Sequence, residues 1–224
     1  MPRRTFALVP LLASALLTGC GGRVAPPVAP APAPAEAPFP YADVWTRHGG
    51  VVLQRDSAGV TLPYASMRLQ VLRVDSADLL LVRCIVCPVP VDGRVRRGEV
   101  LYEPRSPSAA ATDSLAEFVL AIREAARRHD VPALRAVMAP GFVHATDGPD
   151  GVLSAVHAWE DMAFRTLDRV PGLLDRGVAP VPEAELWAAP PAFVTQTGYQ
   201  QLRAGFRRVG GRWQWVFLVQ GAAQ

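Results

Sequence analysis

The sequence has no lysine, no asparagine and only two isoleucines, Ile85 and Ile122. All 23 basic residues are therefore arginine, against 20 acidic residues. The missing residue types are those with AT-rich codons. The arginine content thus reflects a GC-rich genome rather than selection for a phosphate-binding surface, despite a sequence pI near 9.0. Without residues 1–19, which carry Arg3 and Arg4, 21 basic residues face 20 acidic ones. Nucleic-acid binders show a clear basic excess on one face, so nucleic acid is excluded as a partner. No apolar run reaches the ~20 residues a membrane-spanning helix needs. Also absent are a glycine-rich loop leading from strand to helix, a G-x-S-x-G elbow and an HExxH pair. Gly21-Gly22, Gly49-Gly50 and Gly210-Gly211 all sit in linker or turn contexts. The sequence therefore implies no cofactor and no metal.

What is present begins at the N-terminus. Arg3 and Arg4 precede an apolar stretch from Phe6 to Leu17, too short to span a bilayer but suited to a signal peptide. The stretch runs into Leu17-Thr18-Gly19-Cys20. This small-residue site ending in cysteine resembles the lipobox of bacterial lipoproteins. The resemblance implies a diacylglyceryl thioether on Cys20, cleavage before it and acylation of the new N-terminus. It places the chain in the cell envelope, anchored to a membrane and facing the periplasm or cell surface. An ordinary secretory signal with an incidental cysteine is the plainer alternative. Arg3-Arg4-Thr5-Phe6 partly resembles a twin-arginine signal, with Pro2, Ala7 and Leu8 departing from that pattern, and ordinary secretion is preferred.

Removal of the signal leaves about 205 residues, enough for one large domain or two small ones. Residues 23–40 are mostly proline and alanine. Such a run prefers an extended conformation and reaches on the order of 50 Å. It reads as a spacer lifting the folded part off the membrane, with a proline-rich ligand for a partner domain as the alternative. The remaining cysteines, Cys84 and Cys87, lie in a compartment that permits disulfides. Residues three apart in a straight strand are ~10 Å apart, so a bridge requires a tight turn through Ile85 and Val86. A structural disulfide is the preferred reading, ahead of free thiols. Redox or metal chemistry comes last, because no further ligands stand nearby and Pro88, Pro90 and Asp92-Gly93 suggest a loop.

Residues 41–104 have a strand pattern: short apolar runs, period-two alternation from Met67 to Val74, and turn residues at Asp75–Asp78. This ordering, closed by Asp92 to Tyr102, resembles a bacterial Src-homology-three-like domain, which implies a small all-β barrel. Arg94-Val95 replaces the aromatic residues usual in that family's peptide groove. A linker is expected at residues 105–112.

Residues 113–224 change character. Ser114 and Glu117 form a capping box ahead of Leu115, Phe118, Val119, Ile122, Ala125 and Ala126 at helical spacing. Asp130 caps a second short helix that Pro140-Gly141 ends, and a third helical stretch spans Val152 to Leu167. Residues 176–182 read as loop. Gly210-Gly211 predicts a hairpin pairing Val209 with Arg212, Phe206 with Trp215, Ala204 with Phe217 and Leu202 with Val219, with residues 192–197 as the neighbouring strand. "RRHDVPALRAVMAPGFV" (Arg127 to Val143) and "FRRVGGRWQWVFLV" (Phe206 to Val219) resemble the nuclear-transport-factor-two-like superfamily. The resemblance implies an α+β cone. The expected fold class is thus α+β: a small all-β barrel followed by an α+β cone-like domain with a terminal antiparallel hairpin.

That superfamily includes both enzymes and non-catalytic binding domains, and its enzymes use a carboxylate or a His–Asp pair. The candidates here are His144 with Asp147, and His157 with Glu160 and Asp161. The second group shares one helix face, which is also the pattern of an ordinary solvated face. Trp159, Phe206 and Trp215 are candidates for lining an apolar ligand pocket, with core packing as the plainer reading; Trp187 and Trp213 allow the same two readings. His48 and His129 read as surface residues. The expectation is a membrane-anchored envelope protein with a non-catalytic binding or scaffold role towards protein, cell wall or a small ligand. The alternative is a tethered enzyme of the ketosteroid-isomerase or cyclase type. Val216 and Leu218 on the outer hairpin face make a homodimer conceivable.

Overall fold

The computed structural model describes residues 39–55, 58–102, 114–145 and 151–221. Cys20, residues 23–38 of the Pro/Ala-rich segment, the expected linker at 105–112 and Asp147 lie outside these residues. Seven strands come first: β1 (Asp43–Thr46), β2 (Val51–Gln54), β3 (Gly59–Leu62), β4 (Ala65–Val74), β5 (Leu79–Cys84), β6 (Val91–Arg96) and β7 (Val100–Leu101). Then follow α1 (Leu115–Arg127), α2 (Val131–Arg135), β8 (Met138–Val143), α3 (Val152–Asp161), α4 (Arg165–Asp168) and α5 (Val170–Leu174). The chain closes with β9 (Arg176–Val181), β10 (Leu186–Ala189), α6 (Ala192–Thr195), β11 (Arg203–Val209) and β12 (Arg212–Val219).

All twelve strands belong to one mixed sheet in the order β3-β2-β6-β5-β4-β9-β10-β11-β12-β8, with β1 pairing β4 and β7. This corrects the expected fold class: no separate barrel precedes a cone. The physical reason is β4. Its ten residues are long enough to serve two sets of neighbours, with Leu69 to Val74 pairing β5 and Ala65 and Met67 pairing Val178 and Arg176 of β9. The sheet therefore runs on instead of closing.

Four local expectations also change. Residues 176–182 are mostly strand rather than loop, because Gly177 and Pro180 sit within β9 without ending it. Residues 192–195 form a short helix, and β10 takes the place beside β11. Pro140-Gly141 lies inside β8, which pairs parallel with β12. The helical stretch from Val152 breaks after Asp161, where Ala163 and Phe164 adopt φ of 48° and 60°.

The terminal hairpin follows the expected register from Val209–Arg212 to Phe206–Trp215, then slips by one residue. Beyond the slip, Gly205 faces Phe217, and a Cβ at Gly205 would meet the Phe217 ring at 2.1–2.6 Å. The ring occupies the space a side chain would need, so glycine and bulge go together.

One apolar cluster packs α1, α3 and α5 against β8, β11 and β12, and another fills the space among β1–β6. Helix α1 serves both sides. Ser114 accepts the Glu117 N–H and starts it; Phe118 and Ile122 enter the first cluster, while Ala116 and Leu120 pack on Trp45 and Leu101. No helix among the described residues is long and apolar enough to cross a membrane.

Candidate functional site

The junction of β4 and β9 is held by a buried carboxylate. Asp175, 5% exposed, accepts hydrogen bonds from the Trp45 indole at 2.8 Å and from Arg123 Nε at 2.6 Å. Arg123 Nη2 reaches its second oxygen at 3.2 Å, and Arg68 Nη1 stands 3.6 Å away. The Arg123 guanidinium also lies 4.6 Å from the Trp45 ring centroid. Arg68 donates to Asp43 at 2.7 Å, and this bond, with the Asp175 charge, holds its pKa above the ordinary arginine value. Charges from β1, β4, α1 and the end of α5 thus neutralise one another, as buried charges must. The Asp175 carbonyl accepts the Arg68 N–H at 2.9 Å, so β9 leaves this cluster already in register with β4.

A second device shapes β4. Ser66 has φ of 59° inside the strand. The hydroxyl of Thr46, a fully buried residue, spans the bend: it donates to the Tyr64 carbonyl and accepts the Met67 N–H, both at 2.9 Å. Two backbone groups that would otherwise be orphaned are satisfied by one side chain.

The bend and the β4–β9 pairing open onto a groove of about 660 Å³. Its walls come from distant segments: Val60 to Leu62 of β3, Tyr64 and Met67 around the bend, and Val86 to Pro90 between β5 and β6. Arg176 of β9 and Pro190, Pro191, Ala192 and Thr195 around α6 complete them, with Arg55 also lining it. Cys84 and Cys87 are joined in a disulfide with Cα atoms 5.6 Å apart, and Cys87 faces the groove. Pro63, Pro88, Pro90, Pro190 and Pro191 stiffen the walls, because each fixes its own φ. Gly177 in β9 has φ of +96°, and a Cβ there would meet Met67, Ala65 and Tyr64 at 2.9–3.0 Å. Only glycine fits at that approach of β9 to β4. Ile85 and Val89 leave apolar surface exposed on the disulfide-bonded turn and just after it.

Among the described residues, the groove lining includes two arginines, Arg55 and Arg176, and no acidic residue or histidine. Asp92, whose carboxyl feels the Arg55 charge, is already gripped by Arg83 through bonds of 2.6 and 2.8 Å. Arg83 is the main reason the Asp92 carboxyl sits below its ordinary pKa, with Arg55 adding least.

The residues proposed from sequence lie elsewhere. His157, Glu160 and Asp161 are exposed on α3. His144 is half-buried after β8, with a buried Nδ1 that has no hydrogen-bond partner among the described residues. None of the four lines the groove. Trp159, Phe206 and Trp215 are buried in the core, with Trp159 stacked on Trp215 at 5.8 Å and Phe142 edge-on to Trp215 at 5.0 Å. Trp187 and Trp213 form an edge-on pair at 5.1 Å. His129 bonds Asp168 at 2.8 Å on the surface. Among the described residues no three metal-ligating side chains gather. Sequence reasoning missed the groove because its walls are far apart in the chain; the one local signal was proline flanking apolar residues at both 86–91 and 190–194.

No family model matches this sequence, and none of the curated proteins compared matches it. Among solved structures, an NTF2-like protein of unknown function from Pseudomonas putida KT2440 matches over 46% of this chain and 79% of its own, at 20% identity and a TM-score of 0.27. The likeness is weak. It carries no argument about the site.

Proposed function

We propose that this chain is a lipid-anchored envelope protein whose folded part binds a small apolar ligand without catalysis. The anchor reading rests on Leu17-Thr18-Gly19-Cys20 after a short apolar stretch. The binding reading is carried by one observation: a groove of about 660 Å³, walled by proline and apolar side chains. Small-molecule sites are concave, mostly apolar and ~300–1,000 Å³. Rigid walls lower the ordering cost of binding. The lining holds no paired acid and base of the kind proton transfer needs. This favours binding over the tethered-enzyme alternative.

The test uses the neutral fluorophore N-phenylnaphthylamine. The protein enhances its emission, and Ala192→Trp and Thr195→Trp, which fill the groove from α6, abolish the enhancement while thermal unfolding stays cooperative. Enhancement unchanged in both folded variants refutes the site. For the anchor, a fatty-acid label is incorporated by the natural sequence and lost in Cys20→Ala; label retained in that variant refutes it.

A further inference from the structure

Resting on the reading of the groove as a binding site, the geometry points to the chemical class of its ligand: we infer that it takes a small apolar anion, an acyl carboxylate being the simplest case. Two features of the lining carry this. The first is the apolar body, from Val60 and Leu62 across Met67 to Val86 and Val89. The second is charge of a single sign. Arg55 and Arg176 both line the groove, with no carboxylate among the described lining residues to answer them.

Neither guanidinium takes part in a hydrogen bond or ion pair among the described residues, whereas many of the protein's other arginines do. Arg47, Arg68, Arg73, Arg83, Arg94, Arg123 and Arg127 are each tied to a nearby carboxylate. Asp92, a described acid that feels the Arg55 charge, is engaged by Arg83.

The backbone of Arg176 is also fixed in place: it follows the buried Asp175 directly, its Cα pairs with Met67 across the β4–β9 ladder, and Gly177 permits that close approach. Its exposed side chain borders both this groove and a neighbouring hollow with Asp168 and Tyr199. A cation carried on a fixed strand at the rim of an apolar groove is what an amphiphile with one anionic end requires. Arginine suits a carboxylate, because its planar fork donates two parallel hydrogen bonds. Water solvates both exposed arginines when the ligand is neutral; an anionic end adds charge-assisted hydrogen bonds that a neutral ligand lacks.

The experiment compares two fluorophores that share one ring system: neutral N-phenylnaphthylamine and its sulfonated form, anilinonaphthalene sulfonate. The sulfonate is expected to bind the wild-type protein about tenfold more tightly, and added salt weakens it because both arginines are exposed. Arg55→Gln and Arg176→Gln each lower sulfonate affinity severalfold and leave the neutral probe unchanged. Dodecanoate displaces the sulfonate; dodecanol does so far less well. Equal affinity for the two probes, unmoved by either substitution, overturns the anionic class while leaving the groove intact. Failure of both probes in the wild-type protein overturns the groove reading itself. Capture by anionic phospholipid vesicles without displacement of the sulfonate by dodecanoate also overturns the proposal.

Discussion

Replacing Asp175 by alanine removes the one carboxylate shared by Trp45, Arg123 and Arg68. Arg68 keeps Asp43 at 2.7 Å, so its loss is small. Arg123 does not fare as well. Its side chain is 13% exposed and stacks on Trp45, and no other carboxylate among the described residues bonds it. Breaking a buried pair by deleting one partner costs ~3–5 kcal/mol. Leaving the Trp45 N–H unsatisfied costs ~1–3 kcal/mol more, though the two do not add in full. An overall loss of about 4 kcal/mol is expected, a large share of the ~5–15 kcal/mol typical of a whole domain. Asp175→Asn keeps an acceptor for Trp45 and Arg123 while deleting the charge, so about half that loss follows. Urea unfolding followed by tryptophan fluorescence measures both, with the slope unchanged if only the native state is affected. A cost below ~1 kcal/mol for the alanine variant would mean water replaces the carboxylate freely, and the account of β4–β9 as a charge-locked junction would be wrong.

Thr46→Val keeps the shape but strands the Tyr64 carbonyl and the Met67 N–H. A loss of about 2–3 kcal/mol in urea unfolding is expected, each orphaned group costing ~1–3 kcal/mol against a small gain from the buried methyl. Gly177→Ala places a Cβ within 3.0 Å of Met67, Ala65 and Tyr64 at a φ of +96°. It lowers the melting temperature and weakens N-phenylnaphthylamine binding together, whereas Gly172→Ala, where a Cβ meets nothing within 4 Å, does neither. Arg73 and Arg94 hold Asp75 below its ordinary 3.8, Arg83 does so for Asp92, and Arg127 holds Glu124 below its ordinary 4.5. Carboxylates depressed in the folded state add stability that is fully present above those ordinary values and disappears as pH falls through the folded ones. Urea midpoints are therefore flat from pH 7 to about 5 and decline below it; a midpoint rising on acidification contradicts these pairings.

Local signals in the sequence were legible where they were self-contained. Gly210-Gly211 predicted the hairpin and its register as far as Phe206–Trp215, and Ser114 marked the start of α1. The register beyond depends on where the Phe217 ring settles over Gly205, which no period-two pattern encodes. Strand β9 was hidden by Gly177 and Pro180, residues that usually break strands. Gly177 is required there by close backbone approach, a demand visible only once β4 lies beside it. Arg123 looked like one of several charges on the polar face of a helix, yet it turns in to Asp175, because α1 is covered on both sides. The aromatic residues drew attention as pocket candidates and went to the core. The groove was assembled from β3, the disulfide turn, β9 and α6, segments brought together by one long-range pairing.

The most direct test of the groove as the binding site is the methyl spectrum of the methionine-labelled protein during a dodecanoate titration. Met67 lines the groove, Met138 lies in the core cluster and Met162 is exposed after α3. The account predicts that the Met67 signal shifts and saturates while those of Met138 and Met162 stay in place. A stationary Met67 signal, with dodecanoate bound and Met162 or Met138 moving instead, would contradict it.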